Sequence, residues 1–576
     1  MTQICVPLMV ENHADALRDA IFAAEHGADM VELRVDVFFE DRTTEPDDVP
    51  EDETGGTGDS PVVDMLETRI DRVLDLVEVM PVACIVTCRP HWEGGEYHGD
   101  DLDRVALYEA LANCEKPPAY IDVELATFTH TPAIRKRIVK AVQSNGEGAP
   151  STRLILSTHD FSGRPSDLTR KIITMQEEKA CSVVKIAYRA RSIRDNLELF
   201  EILADRSKPT IALGMGEFGL MSRVLAPKFG GFLTFASLRE EANTAPGQPT
   251  LDELLNLYRF RKIKSTTKVY GIIGWPVTQS MSPMVHNAGF EAIGFDGVYV
   301  PMPIAADSAD LEGSDASFKA TVNQFLDEQR LHFSGASVTI PHKERAASTV
   351  PWRAAPEYFE NVQRIGAANT IAQEWVEIWA GGGHTAEICL ENFDSESIQE
   401  LVQDSLGDLA AKKIAVIGAG GAAKAAASGL MRVGAYVSIL NRTLARAESL
   451  KEQLMQDSVD GYFGTINAVD VSELAEQSAD VYINCTPVGM KDGPDPDGLS
   501  IPIPDMEKLG PDTIFFDTVY NPIETPMIKA AKERGYRTID GVEMFVRQAE
   551  MQFEYWTGKH APAGVFDSLV RTKLST

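Results

Sequence analysis

Through the first 260 residues, short apolar runs alternate with helix-forming stretches. The runs fall at Ile4–Leu8, Met30–Arg34, Val82–Thr87, Tyr120–Glu124, Leu154–Ser157, Val183–Ala187, Thr210–Leu213 and Phe232–Phe235. Each is four to six residues long, which suits a buried strand better than a helix. Eight such strands separated by helices predict an α/β chain that begins with a (β/α)8 barrel, over residues 1–262. One tract, from Glu40 to Asp59, breaks the alternation. It holds nine acids and one Arg among Gly, Pro and Thr, and so predicts a solvated loop after the second strand.

A polar stretch, Arg261–Thr267, separates this pattern from a fresh apolar run, VYGIIGWP. Residues 268–390 predict a compact α/β domain. Residues 413–443, KIAVIGAGGAAKAAASGLMRVGAYVSILNRT, then give a strand at Ile414–Ile417, a glycine turn, an Ala-rich helix and a second strand at Tyr436–Leu440. That order is the dinucleotide-binding βαβ unit of a Rossmann domain. Gly418 permits the tight turn. Gly420, with Gly421 and Ala422 after it, leaves backbone bare for a pyrophosphate at the helix N-terminus. Ala423 allows close packing of helix on strand. The second strand ends in Asn441, Arg442 and Thr443, where an acid would suit NAD and an Arg suits the 2′-phosphate of NADP. Further strands are expected at Val481–Asn484 and Thr513–Asp517. A last helix at Gly541–Trp556 is expected to return to the earlier domain. The nucleotide domain then spans 391–545, and 546–576 completes 268–390.

Composition narrows the partners. A net charge of −32 argues against nucleic acid and anionic membrane. No stretch of about 18 apolar residues offers a membrane span, and MTQICVPLMV reads as a strand, not a signal. Seven dispersed cysteines suit a reducing, cytoplasmic compartment. Cys84 and Cys88 lack a second pair at zinc spacing, so no metal is expected. Composition leaves the oligomeric state open.

In a barrel, side chains at the C-terminal ends of the strands converge on one opening. Glu32 and Arg34 close the second strand, Arg89 follows the third, and Asp122 and Glu124 end the fourth. His159 follows the fifth, Lys185 lies in the sixth, and Arg223 lies beyond the seventh. Each has a plain structural alternative: Lys185 as a core lysine paired to a carboxylate, His159 as a loop histidine. Burial in an apolar strand, however, disfavours the charged form of a lysine and frees its amine as a nucleophile. A lysine with a histidine nearby is the equipment for Schiff-base chemistry.

The segments VELRVD (31–36), CRPHWEGG (88–95), YIDVEL (120–125), STHDF (157–161), VVKIA (183–187), MGEFGLMSR (215–223) and APGQ (245–248) resemble type I 3-dehydroquinate dehydratase, in order and across nearly the whole barrel. The resemblance implies that Lys185 forms an imine with the substrate ketone. His159 then removes an adjacent proton and assists loss of water, with Glu93 holding His159 in place. It also implies that Glu32, Arg34, Arg89, Arg223 and Gln248 bind substrate. Gly231 stands where this family commonly has Ser.

In the second half, GIIGWPVTQSMSPMVHN (271–287) carries Ser280 and Ser282 before Pro283, which suits a first helical turn. Ser282 could equally cap that helix. SVTIPHKE (337–344) carries Thr339 and Lys343, IGAANT (365–370) carries Asn369, and ENFD (391–394) carries Asp394. Taken singly, these are a surface Lys, a turn Asn and a loop Asp. Together with NCTPVGM (484–490), DTVYNP (517–522), DGVEMFVRQA (540–549) and YWTG (555–558), they resemble shikimate dehydrogenase over about 268–560. The resemblance implies that Ser280, Ser282, Thr339, Asn369, Tyr520 and Gln548 bind substrate, and that Gly541 and Met544 lie beside the nicotinamide. Lys343 and Asp394 become the catalytic pair at the reacting oxygen. Ser337 stands where Asn is usual, and Phe393 where Thr is usual.

Both resemblances imply two consecutive steps on one chain. The barrel dehydrates 3-dehydroquinate to 3-dehydroshikimate, and the second half reduces that product to shikimate with NADPH. Two rival readings fit parts of the sequence: a quinate specificity in the second half, which would favour NAD, and a regulatory module that has lost its chemistry. Arg442 speaks against the first. The pairs Lys185–His159 and Lys343–Asp394 speak against the second.

Overall fold

Parallel strands buried on both faces need near-continuous apolar sequence, and the first unit is built from them. In this computed structural model β1 (Gln3–Met9), β2 (Met30–Arg34), β3 (Ala83–Thr87), β4 (Tyr120–Glu124), β5 (Arg153–Asp160), β6 (Cys181–Arg189), β7 (Thr210–Met215) and β8 (Leu233–Phe235) form one sheet. Its order is β7-β6-β5-β4-β3-β2-β1-β8. Phe232 N–H donates to Thr210 O at 2.8 Å, which joins the start of β8 to β7 and closes the barrel. The structure describes residues 1–40, 65–143, 151–239, 247–307, 309–350, 360–378, 383–456, 464–476, 478–503 and 506–575. Nearly all of the acidic tract therefore lies outside the described residues.

Cys5, Met30, Ile85, Tyr120, Ile155, Val183, Ile211 and Leu233, one from each strand, meet in the barrel centre. A strand repeats its facing every two residues. Two residues on, the same face carries Glu32, Thr87, Asp122, Ser157 and Lys185, all buried. The apolar plug thus becomes the floor beneath a polar layer.

The chain divides into two compact units, Met1–Thr266 and Thr267–Thr576. The second unit holds two sheets. β9 (Lys268–Gly274), β10 (Gly297–Pro303), β11 (Phe333–Val338), β12 (Thr370–Ile378) and β13 (Gly383–Glu391) lie in the order β10-β9-β11-β12-β13. β9 pairs in parallel with β10 and β11, and the β11–β12–β13 run is antiparallel. β14 (Lys413–Ile417), β15 (Tyr436–Asn441), β16 (Thr465–Asp470), β17 (Val481–Asn484), β18 (Ile514–Asp517) and β19 (Arg537–Ile539) are all parallel. Their order, β16-β15-β14-β17-β18-β19, is the doubly wound dinucleotide-binding arrangement, with its crevice where β14 meets β17.

The helix Gly541–Thr557 starts on a capping box: Asp540 accepts from Glu543 N–H, and the Glu543 side chain accepts from Asp540 N–H. It packs back on the first sheet of its unit. Trp556 Nε1 donates to Ile371 O at 3.1 Å, and the Phe553 ring lies 5.6 Å from those of Phe290 and Phe566. The sequence pattern gives no individual place to β10–β13, within the expected α/β domain, or to β16, β19 and the final helix Val565–Ser575. β16 and β19 are outer strands, three of six β16 residues are half-buried, and their apolar runs are correspondingly weak.

Candidate active sites

In the barrel, Lys185 Nζ donates to Asp122 Oδ2 at 2.7 Å and to Glu32 Oε1 at 3.0 Å. It also lies 4.7 Å from the centre of the Phe235 ring. The sequence offers Lys185 both as a carboxylate-paired core lysine and as a nucleophile, and the structure shows the pairing. The period-two layer supplies the two carboxylates, so its charge is paired. Arg89 braces the same cluster, with Nη2 on Asp122 Oδ2 at 3.0 Å and Nη1 on Glu124 Oε1 at 2.9 Å and Ser157 Oγ at 3.0 Å. Burial pushes the Asp122 carboxyl up, but Arg89, Lys185 and His159 outweigh it and hold the group well below its usual range. Glu124 is gripped from its other side by the buried Arg104. The sequence places Asp122 and Glu124 at this opening without giving them a role, and Arg104 is not foreseen at all. The acids sit at alternate positions of YIDVEL, which was the available signal.

His159 lies within β5, not after it, because that strand runs on to Asp160. The extra length holds the imidazole on rigid backbone. Its Nδ1 is 3.0 Å from Glu93 Oε2. Burial, with Arg89 and Lys185 nearby, lowers the imidazole well below its usual value. Burial also raises Glu93, to about 8, helped by Glu124 and Asp122 and opposed by Arg89. Arg34 pairs with Asp36 at 2.6 Å. Arg223 is buried, its Nε has no hydrogen-bond partner, and burial lowers it to about 10. Such a guanidinium suits an anionic ligand group. Gln248 is buried after Gly247, whose positive φ of 74° and close approach to Gly216 O demand glycine. No hydrogen bond in the structure joins Arg34, Arg223 or Gln248 to the Lys185 cluster among the described residues. Gly231 lies at the opposite end of the barrel, where its carbonyl accepts from Thr2 Oγ1 at 2.7 Å. A serine hydroxyl there would be remote from Lys185, so its absence removes no substrate contact. A cavity of about 920 Å3 opens at that end, against Gly231 and Arg206, and contains none of these groups.

In the second unit Lys343 Nζ donates to Asp394 Oδ2 at 2.5 Å. Lys343 opens a helix after the Thr339–His342 turn, and Asp394 stands in the first turn of Phe393–Leu406, capped by Asn392. The Asn369 amide lies beside that turn. Its Oδ1 accepts from Phe393 N–H at 2.9 Å and from Thr370 Oγ1 at 2.8 Å, while its buried Nδ2 has no partner among the described residues. Ser282 is the first residue of its helix and not the cap, and its N–H donates to Ser280 Oγ at 3.2 Å. Tyr520 packs at a tilt of 38° against Phe545 with centroids 5.2 Å apart, and Gln548 Nε2 donates to Phe545 O at 3.1 Å. Among the described residues, no hydrogen bond links Tyr520 or Gln548 to Lys343.

The glycine turn behaves as its sequence requires. Gly418 has φ +115°, a conformation side chains avoid. A Cβ at Gly420 would meet nothing within 4 Å, and one at Gly421 would meet only Lys343 Cδ, at 3.8 Å. Bare backbone at the start of the helix Gly421–Arg432 is therefore open to a pyrophosphate, beside Lys343. Arg442 is exposed at the end of β15, and Asn441 Nδ2 ties the turn by donating to Thr443 O at 2.9 Å. Gly541 approaches Val519 O so closely that a Cβ would lie 2.2 Å from it, and Met544 is buried.

The family model described as type I 3-dehydroquinase matches residues 4–265. Models of the shikimate dehydrogenase substrate-binding domain, of shikimate/quinate 5-dehydrogenase and of the shikimate 5′-dehydrogenase C-terminal domain match 272–371, 400–489 and 541–571. The chloroplastic bifunctional 3-dehydroquinate dehydratase/shikimate dehydrogenase of Arabidopsis thaliana is 35% identical over 572 residues, covering 98% of this chain and 83% of that relative. The chain belongs to this bifunctional family. A shikimate dehydrogenase (NADP+) of Methanocella arvoryzae is 34% identical over 309 residues, 53% of this chain and 99% of the relative. A solved shikimate dehydrogenase in complex with NADP+ is 31% identical, with 55% of this chain and 98% of that one covered and a TM-score of 0.43.

The two departures in the dehydrogenase half are both absorbed. Ser337 Oγ accepts from Tyr299 OH and donates to Gln552 Oε1, each at 2.7 Å. The Phe393 ring meets Tyr555 edge-on at 5.5 Å, while its backbone N–H still serves Asn369.

Proposed function

We propose that the barrel dehydrates 3-dehydroquinate through Lys185 and that the second unit reduces the resulting 3-dehydroshikimate with NADPH through Lys343 and Asp394. What carries this reading is the carboxylate-paired Lys185 in the barrel that also holds His159 with Glu93, and the carboxylate-paired Lys343 beside the open glycine turn in the other unit.

The Lys185 ammonium must pass on a proton before its amine attacks, and Glu32 and Asp122 are both within hydrogen-bond reach. The amine adds to the substrate ketone and water leaves, giving an imine whose positive charge draws electrons. His159, kept neutral by its buried, cationic surroundings, takes the adjacent proton. The neighbouring hydroxyl then departs as water, receiving the proton that His159 took, and hydrolysis of the imine releases product. Arg34, Arg89, Arg223, Gln248 and Glu32 hold the substrate carboxylate and hydroxyls, with Arg223 offering a buried Nε–H that has no partner among the described residues.

In the second unit NADPH, when bound, supplies the hydride. Gly418, Gly420, Gly421 and Ala422 would hold its pyrophosphate, Asn441, Arg442 and Thr443 its 2′-phosphate end, and Gly541 and Met544 its nicotinamide. Lys343 stabilises the negative oxygen that develops on the reduced ketone and protonates it, while Asp394 fixes the lysine. Ser280, Ser282, Thr339, Asn369, Tyr520 and Gln548 bind the substrate. The chain is divided as 1–262, 268–390 completed by 546–576, and 391–545. Small molecules are its partners. Its seven free cysteines support a reducing, cytoplasmic setting.

The test is a steady-state assay on 3-dehydroquinate with and without NADPH. Without cofactor, 3-dehydroshikimate should accumulate; with it, shikimate should form. Borohydride plus 3-dehydroquinate should leave a covalent adduct on Lys185, and Lys185→Ala should abolish dehydration while sparing shikimate oxidation. A Lys185→Ala protein that dehydrates at the normal rate would refute the imine.

A further inference from the structure

Two side-chain amides in the second unit are oriented by backbone. Gln552 Nε2 lies 3.1 Å from Asn369 O, a group that can only accept, so this end of Gln552 donates. Asn369 Oδ1 lies 2.9 Å from Phe393 N–H, a group that can only donate, so this end of Asn369 accepts. The Thr370 hydroxyl sits between the two, 2.8 Å from Gln552 Nε2 and 2.8 Å from Asn369 Oδ1. It must therefore accept from Gln552 and donate to Asn369. The far end of Gln552 is fixed in turn by Ser337, which accepts from Tyr299 OH and donates to Gln552 Oε1, each at 2.7 Å. Tyr299, Ser337, Asn369, Thr370 and Gln552 are all buried, so water does not scramble the relay.

With both donors directed at Oδ1, the Asn369 Nδ2 group is left buried and unpartnered beside the turn that carries Asp394. A native structure rarely leaves a buried NH2 unsatisfied unless a ligand completes it. We infer that Thr370 and Gln552 are positioning residues that hold the Asn369 amide so that Nδ2 donates to an acceptor oxygen of the dehydrogenase substrate. The inference rests on the proposed shikimate chemistry and assigns two further residues to it. Ser337 belongs to the same relay. Its short hydroxyl accepts from Tyr299 and donates to Gln552 through one oxygen.

The variants Thr370→Val, Thr370→Ser and Gln552→Glu test this in the full chain. Valine keeps the shape and loses the hydroxyl. Serine keeps the hydroxyl. Glutamate would take the Thr370 proton and turn it away from Asn369. A contact made equally to substrate and transition state shows in KM. Thr370→Val and Gln552→Glu should raise KM for shikimate about tenfold, with kcat within about threefold. Thr370→Ser should stay within about twofold of wild type. Fluorescence titration of NADPH binding checks that the unit is folded, and if Thr370→Val fails this check, Gln552→Glu carries the same expectation. An active wild type with unchanged KM in Thr370→Val, or a Thr370→Ser as impaired as Thr370→Val, overturns the relay alone. A wild type that does not oxidise shikimate overturns the functional reading and the relay with it.

Discussion

The proton between Glu93 and His159 decides whether the imidazole can act as a base. Below about pH 8 Glu93 is protonated, because burial raises it to about 8. A protonated carboxyl donates to Nδ1 and leaves the ring hydrogen on Nε2, the wrong tautomer for proton abstraction there. The ionised carboxylate accepts Nδ1–H and frees Nε2. Dehydratase kcat should therefore rise with pH through about 8. In Glu93→Gln the amide oxygen can accept Nδ1–H at every pH, so that limb should flatten. A wild-type profile flat from about pH 7 to 9, or a Glu93→Gln profile that still rises, would contradict the assignment. The stability linkage has a definite sign. A carboxyl raised from 4.5 to about 8 on folding contributes stability that is full below 4.5 and lost as pH rises through about 8.

The turn between β14 and the helix Gly421–Arg432 separates two uses of glycine. Gly418 needs its positive φ of 115°, and a Cβ there would also lie 3.0 Å from Cys485 O. Gly418→Ala should destabilise the second unit by about 1–3 kcal/mol, read by denaturant melts. Gly420 has φ −95° and an open approach. Gly420→Ala should change stability by no more than about 0.5 kcal/mol. It should still weaken NADPH binding about tenfold, because the methyl group occupies space needed by the pyrophosphate. Equal effects of both variants on stability would show that the turn is structural only. At the end of β15, Arg442→Ala should remove most of the preference for NADP over NAD, since the guanidinium supplies charge-assisted bonds to a phosphate. Equal kinetics with the two cofactors in wild type would refute that role. These features were legible because each depends on a few adjacent residues. The lengths of β5 and β6 were not: β5 runs on to Asp160 because its pairing with β6 continues past its apolar core, and β6 runs on to Arg189, which pairs with Met215 of β7.

The two lysines belong to separate compact units with no shared partner, so their losses should not couple. Lys343→Ala should lower kcat for 3-dehydroshikimate reduction by roughly 100-fold or more, the range of a positioned acid–base group. Dehydratase activity should stay within about twofold, and 3-dehydroshikimate should build up from 3-dehydroquinate even with NADPH present. Normal kcat with only a raised KM would make Lys343 a binding residue.

Alternating apolar runs sufficed for the barrel, and a glycine turn between two strands sufficed for the nucleotide sheet, because each element's own periodicity records which face it buries. The same periodicity placed Lys185, Asp122 and Glu32 near one barrel mouth. It could not say which groups touch. Lys185 meets Glu32 across 153 residues, His159 meets Glu93 across 66, and Lys343 meets Asp394 across 51. Gln552 reaches Thr370 across 182. A hydrogen bond forms or fails over a few tenths of an ångström, and that distance is set by how strands and helices far apart in the chain come to rest on one another. Charge pairing at Lys185, the tautomer of His159 and the direction of the Asn369 amide are therefore properties of the packed chain, while the residues that take part in them are properties of its order.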